Sequence, residues 1–507
     1  MADYSKLSID QKRSINTLGA LKKSGYTPKT VKEELRDNLI QSIEDDVNVF
    51  EGIWGYEHTV IPDVERAILS KHNINLLGLR GQAKTRIARQ MVNLLDEVVP
   101  VVGGSELNDD PMDPLTDFAK DLIAEKGDDT PVVWLERDER FTEKLATPDV
   151  SIADLIGDVD PIKAASMKLS YADERVIHYG LVPRTHRGIF VINEIPDLQP
   201  RIQVSLFNIL QEGDIQIRGF KLRLPLDIQF VFTANPEDYT NRGSIVTPLK
   251  DRLGSQIITH YPKSIETSLR ITEQEANKRP TDNVKFNELS KMIIEQIAIE
   301  ARSSEYVDEK SGVSARLTIT AYENLVSAVE RRMFKNKEKT GYVRISDFVG
   351  VIPSITGKIE LVYEGEQEGA TIVAQNLIGK AIRTLFVDYF SDPDQVRKAK
   401  DQKDPYKAIA NWFGNGNLVD LVNDYSQSEY ENELNKVPGL ADIVDKEIKG
   451  TKDKNFKYFL MEFVLFAMVE YSYLSKHSLD EGLRIDDLLG SMLSGIDEEP
   501  DDEQKFY

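Results

Sequence analysis

Cysteine is absent from the 507 residues, which excludes disulfides and thiolate zinc sites. Histidine is scarce. The six copies (His58, His72, His178, His186, His260 and His477) are scattered with no ligand-like pair, so a histidine metal centre is not expected. Positive charge is in deficit, with 63 Lys+Arg against 85 Asp+Glu and a formal net charge of −22. Sequence-independent affinity for nucleic acid draws on net positive surface, so this balance disfavours a nucleic-acid partner. Long apolar runs are missing too. The nearest, FLMEFVLFAMV at Phe459–Val469, is interrupted by Glu462 and closed by Glu470. It falls short of the roughly 20 apolar residues of a membrane span and reads as a buried helix. The opening residues carry no apolar signal-peptide core. The expectation is a chain without a membrane span, located in the cytoplasm.

What is present divides the chain. At about 150 residues per domain the length suggests roughly three domains. Residues 1–48 are polar and helix-compatible, an N-terminal helical extension. From 49 to 262, short apolar runs alternate with helical stretches: NINLLGL (73–79), TPVVWLE (130–136), GIFVINEI (188–195) and DIQFVFTANP (227–236). Continuous apolar runs separated by helices predict an α/β domain, a parallel sheet covered on both faces. Residues 263–345 read as a helical lid, notably Asn287–Arg302 and Thr318–Lys335. Residues 346–496 read as a further, mainly helical domain, and 497–507 as an acidic tail.

The chemistry concentrates in the α/β segment. Gly78-Leu-Arg80-Gly81-Gln82-Ala83-Lys84-Thr85-Arg86 follows an apolar run and opens a helical stretch. Strand, loop, helix is the setting in which backbone N–H groups and a helix N-terminus cradle phosphate, with Lys84 reaching the β/γ oxygens and Thr85 holding Mg²⁺. Ala83 stands where the general pattern has its second glycine. The next strand ends in Asn193-Glu194, where Glu194 is placed to act as general base on water and Asn193 occupies a position usually held by a metal-organising aspartate. Asn235 ends a third strand, suited to positioning the attacking water. Beyond it, Arg252 could reach a neighbouring subunit's γ-phosphate, and Arg316 opens a helix as a second cation from the same subunit. The bland alternatives are a glycine turn, polar strand ends and solvated surface arginines.

In their order and spacing these residues resemble the AAA+ ATPases, specifically the helix-2-insert branch that holds the magnesium chelatase motor subunit and the MoxR-type ATPases. The resemblance covers about residues 48–345. It implies that Lys84, Glu194, Asn235, Arg252 and Arg316 are the two Walker motifs, sensor 1, arginine finger and sensor 2, and that Ile53 and Gly55 contact adenine. An alanine before the loop lysine is familiar in the MoxR-type loop, whereas Asn193 departs from the family's aspartate. Lys84 and Glu194 stand 110 positions apart, which leaves room for the insert, resembled by Leu155–Pro161 to Gly180–Arg184. The stretch Gly213–Leu224 alternates at period two around Gly219 and resembles the hairpin before sensor 1. Partner or pore contact by Arg218, Phe220 and Lys221 is one reading of it, a structural edge hairpin the other.

The resemblance implies an α/β P-loop AAA+ core with an α-helical lid and a further helical domain. It implies an ATP- and Mg²⁺-dependent motor forming a ring, typically of six subunits, that remodels a protein partner carrying a von Willebrand factor A domain. This chain has one literal Asp-x-Ser-x-Ser match, Asp424-Tyr-Ser426-Gln-Ser428, without alternating strands and helices around it. It reads as a chance match. Two alternatives stay open: a nucleotide-gated scaffold with weak hydrolysis, which Asn193 favours, and a transcriptional activator of the related sigma-factor-contacting group. No GAFTGA-like loop or basic helix-turn-helix speaks for the latter.

Overall fold

Five parallel strands organise the first half of the chain. The computed structural model describes residues 4–169, 174–212, 214–216, 223–236, 245–276, 283–398, 404–450, 452–479 and 482–488. The chain divides into two compact units, Met1–Tyr261 and Pro262–Tyr507.

In the first unit the described strands are β1 (Ile74–Leu77), β2 (Val98–Val102), β3 (Val132–Glu136), β4 (Phe141–Leu145), β5 (Gly157–Val159), β6 (Ile177–Tyr179), β7 (Gly188–Asn193), β8 (Asp214–Gln216), β9 (Arg223–Pro225), β10 (Ile228–Ala234) and β11 (Ser255–Ile258). The central sheet runs β11-β1-β10-β7-β4, every neighbouring pair parallel. Successive side chains of a strand face opposite ways, and the packing follows that period. Ile189 and Val191 join Ile74, Leu76 and Val231 in one core with Leu35, Val64 and Ile87 of flanking helices. Phe190 and Ile192 join Phe230 and Phe232 in a second core with Ile202, Leu206 and Leu249. The sheet is therefore covered by helices on both faces, the expected α/β class.

Two assignments differ from the sequence reading. TPVVWLE is not in the central sheet: β3 pairs antiparallel with β2, a ribbon in which Val133 is exposed and the Trp134 indole donates to the Ile15 carbonyl. The sheet takes FTEKL (β4) instead. Residues 1–48 supply part of the unit's interior. Val31, Leu35 and Leu39 of the helix Val31–Glu44 are buried. Its Glu34 accepts two 2.6 Å hydrogen bonds from the buried Arg140 guanidinium. The expected insert contains the antiparallel pair β5–β6. The expected hairpin has its two arms, β8 and β9, paired antiparallel.

The second unit is built around one core running from Leu289 to Ile485. Its helices include Glu288–Arg302, Arg316–Asn336, Ala370–Phe386 and Lys454–Glu470. A short parallel pair, β12 (Val284–Lys285) and β13 (Gly341–Tyr342), precedes a three-stranded antiparallel sheet of β14 (Val419–Val422), β15 (Leu474–Leu479) and β16 (Gly482–Asp487). The run Phe459–Met468 is buried within its helix. Among the described residues no helix is long and apolar enough to cross a membrane.

Candidate functional site at the carboxyl ends of the sheet

In an open parallel sheet the loops after the strands form the natural ligand crevice. Here β1, β7 and β10 deliver Lys84, Glu194 and Asn235 to the same sheet end. The register Leu77↔Ala234 sets Gly78 beside Asn235, and the Gly78 N–H donates to the Ala234 carbonyl at 3.1 Å.

The loop is held from behind. A Cβ at Gly78 would sit 1.9 Å from Thr259 Oγ1 and 2.2 Å from Gln82 Oε1, so no side chain fits there. Thr259 donates to buried Gln82 Oε1 at 2.7 Å. Tyr56, whose hydroxyl burial pushes up to about 12, stays protonated and reaches the Gln82 and His260 carbonyls at 3.2 and 2.6 Å. Tyr261 donates to the Arg80 carbonyl at 3.0 Å. Tyr56 thereby ties the segment of Ile53 (buried) and Gly55 (φ 80°) to the loop. Gly81 (φ 73°) and Ala83 (φ 56°) are both left-handed. For alanine that conformation carries a steric cost of about 1–2 kcal/mol.

Lys84, only 7% exposed, begins the helix Lys84–Gln90. Its ammonium donates to the Gly78 carbonyl and, at 2.9 Å, to that of Leu79. A buried cation curled over a loop of neutral carbonyls, at a helix N-terminus, is chemically suited to an anion. Next to it, Thr85 donates to Asn193 Oδ1 at 3.4 Å. Thr233 donates to the same oxygen at 3.1 Å and accepts the Glu194 N–H at 3.2 Å. Glu194 holds φ 55°, left-handed directly after the strand. Asn235 is buried, and its side-chain oxygen accepts no hydrogen bond among the described residues. A buried acceptor without a partner is suited to a donor such as water.

Two residues escaped the sequence reading. Glu143 of β4 accepts from Asn193 Nδ2 at 2.6 Å and takes a two-pronged contact from Arg89 at 2.7 and 3.1 Å. The only available signal was a glutamate two residues before the end of a polar strand, which alternation alone does not single out.

Other expected residues lie apart. Arg86 is on the loop helix. Arg252 ends the helix Thr247–Arg252. Its guanidinium donates to Gln211 Oε1 at 2.9 and 2.7 Å and to the Pro248 carbonyl at 2.7 Å, over the Phe207 ring. Arg316 starts its helix in the second unit and is exposed. Arg218, Phe220 and Lys221 lie outside the described residues. Asp424 is engaged by Arg331 at 2.8 Å and by Lys335, and Ser426 caps the helix Gln427–Asn435. The Asp-x-Ser-x-Ser match is thus occupied by structural contacts. Among the described residues there is no cluster of three or more His, Cys, Asp or Glu side chains able to hold a metal.

Comparison with known proteins adds to this geometry. Residues 166–256 match the family model described as the Sigma-54 interaction domain. Over 208 residues the chain is 25% identical to magnesium-chelatase subunit ChlI-1, chloroplastic, of Arabidopsis thaliana, covering 40% of this chain and 45% of that protein. Over 201 residues it is 26% identical to the magnesium-chelatase 38 kDa subunit of Rhodobacter capsulatus, covering 39% and 51%. The chain spans about half the length of these curated relatives. A cryo-EM-based structure of the complex between subunits BchI and BchD of magnesium chelatase overlaps 63% of this chain and 98% of that chain, with 18% identity and a TM-score of 0.34. With Lys84, Thr85, Asn193, Glu194 and Asn235 gathered at one end of a five-stranded parallel sheet, the chain resembles the AAA+ ATPases, and among them the motor subunits of magnesium chelatase.

Proposed function

We propose that this protein binds ATP with Mg²⁺ at the Gly78–Thr85 loop and hydrolyses it to ADP and phosphate. The observation that carries this reading is the contact between the loop's Thr85 and Asn193, which joins the loop that holds buried Lys84 to the strand end that precedes Glu194. The residues fit the ligand: the loop is held from behind by Thr259 and Gln82, the lysine is buried, and the buried Asn235 oxygen lacks a donor among the described residues. Lys84 and the loop N–H groups hold the β- and γ-phosphates. Thr85 and Asn193 hold the metal, which neutralises phosphate charge when bound. Ile53 and Gly55 flank the base. Glu194 and Asn235 orient a water whose oxygen bonds to the γ-phosphorus while the bond to the β–γ bridging oxygen breaks. Glu194 takes the water's proton.

Arg252 and Arg316 complete the assignment. Arg252 acts in trans on a neighbouring subunit's nucleotide, so the working form is a ring, a hexamer as in the resembled family. Arg316 supplies the cation in cis. The ring remodels a protein partner with a von Willebrand factor A domain, contacted through Arg218, Phe220 and Lys221. The deficit of positive charge supports a protein over a nucleic-acid substrate. Glu194→Gln keeps the shape and removes the base. It is expected to retain ATP binding while hydrolysis falls by a factor of about 10² or more. Equal, negligible turnover in both proteins with ATP still bound would instead establish the second reading, a nucleotide-gated scaffold, which the neutral Asn193 favours.

A further inference from the structure

Asn193 poses a problem that its neighbours resolve. An amide has a donor end and an acceptor end of nearly equal size, and only the acceptor end suits a cation or its bound water. A free asparagine could turn either end toward Thr85. The structure fixes the choice. Glu143 carboxylate oxygens only accept, so the Asn193 NH₂ faces Glu143 at 2.6 Å. Thr233 takes the Glu194 N–H and commits its own proton to Asn193 Oδ1. The oxygen therefore faces Thr85. Arg89, one turn beyond Thr85 on the loop helix, pairs with Glu143 through both carboxylate oxygens. That holds the carboxylate in place and keeps it engaged away from the metal position. The parallel register Glu143↔Val191 and Leu145↔Asn193 puts Glu143 on the same face of the sheet as Asn193.

We infer that Glu143 is the positioning residue that lets an asparagine work at position 193: it holds the amide donor so that the oxygen points at the Mg²⁺ site. This rests on the ATP–Mg²⁺ reading above. It makes a specific claim about epistasis. Asn193→Asp alone sets two carboxylates face to face at hydrogen-bond distance, whereas Asn193→Asp with Glu143→Gln restores a donor–acceptor pair with the charge moved one strand over.

The test uses the full chain, measuring thermal midpoints without nucleotide and the affinity for N-methylanthraniloyl-ATP with and without Mg²⁺. Glu143→Leu is expected to cut the Mg²⁺-dependent gain in affinity about tenfold, the scale of losing a group that orients a metal ligand, while affinity without Mg²⁺ stays within about twofold. Asn193→Asp is expected to lower both the midpoint and the Mg²⁺ gain. Adding Glu143→Gln should recover both. A merely structural Glu143 would change the midpoint and leave the Mg²⁺ gain unaltered, which overturns the inference. So does an Asn193→Asp protein that gains Mg²⁺ affinity with Glu143 intact, or additive effects on the midpoint. If the wild type binds no nucleotide, the ATP reading falls. The metal-positioning role falls with it, while the midpoint cycle still reports whether Glu143 and Asn193 are coupled.

Discussion

Both units bury charged side chains, and they use them differently. In the second unit Glu462, fully buried in its helix, accepts from the Ile345 and Ser346 N–H groups at 2.6 and 2.9 Å and from the Tyr430 hydroxyl at 2.8 Å. Arg332 and Asp347 form a buried pair at 2.8 Å, and Asp347 also accepts the Arg344 N–H. These groups join one corner of the chain to three helices. The left-handed non-glycine residues described there, Lys337 and Ser472, follow helix ends, where that conformation is ordinary. In the first unit Lys84 meets backbone carbonyls, and left-handed Ala83 and Glu194 stand directly after a loop and a strand. Burial of charge alone therefore does not mark a site. Burial combined with backbone strain at the carboxyl ends of parallel strands does.

Removing a charge from each unit breaks this comparison if it is wrong. Glu462→Leu leaves two buried N–H groups and a buried hydroxyl without their acceptor, and is expected to cost about 3–5 kcal/mol of stability by urea denaturation. Glu194→Gln should move the same midpoint by less than about 0.5 kcal/mol. A Glu194→Gln protein as destabilised as Glu462→Leu would make Glu194 a structural residue.

A finer contrast lies inside the first unit, where buried titratable groups serve folding beside the site. Burial raises Asp227 to about 6 while its carboxylate takes the Val31 N–H at 2.6 Å. Burial, reinforced by the Arg187 charge, lowers His186 to about 4, and its Nδ1 accepts the Asp227 N–H. The signs oppose. A raised carboxyl binds more protons folded than unfolded, so its contribution is present in acid and lost as pH rises toward 6. A depressed histidine binds fewer when folded, so its contribution is lost as pH falls from 6.5 toward 4. Each is worth at most about 3 kcal/mol, and across pH 4–6 they largely offset. Asp227→Asn should unmask the histidine, giving a thermal midpoint that falls more steeply with acid in that window than the wild type's. An unchanged slope would mean the pair is not linked to folding.

How much of this was legible depends on how apolar each strand is. β1, β7 and β10 are apolar runs ending in polar residues, so their order and their site residues could be read directly. β4 carries Thr, Glu and Lys: Glu143 faces Arg89 of the loop helix, Thr142 on the opposite face meets Thr185, and a buried-strand pattern passes over such a strand. Glu143 was missed for the same reason. VVWLE has the apolar texture of a central strand yet is satisfied by an equally apolar partner, VVPVV, in an antiparallel ribbon. In the second unit LSKHSL and GLRIDD lie in a stretch read as mainly helical, and their strands went unseen because only alternate residues, such as Leu474, Leu483 and Ile485, are buried. Glu462 could be seen to interrupt an apolar helix, but its partners at 345, 346 and 430 are distant in sequence.

The smallest expected effect sharpens the comparison most, because it separates strain that serves a site from strain that ends a helix. Ala83→Gly removes a left-handed cost of about 1–2 kcal/mol but adds unfolded-state entropy worth about 0.5–1 kcal/mol. It also deletes a methyl that packs on the first core. The net expectation is a gain of about 0.5 kcal/mol by urea midpoint. Lys337→Gly, left-handed at a helix end in the second unit, balances the same strain and entropy terms and should gain about as much. Stability alone cannot then distinguish the two positions, whereas nucleotide affinity can. Freeing the residue before Lys84 loosens the cradle and should weaken N-methylanthraniloyl-ATP binding about two- to threefold, while Lys337→Gly leaves it unchanged. Equal affinities in both variants would mean that the Ala83 conformation is a feature of the fold and not of the phosphate loop.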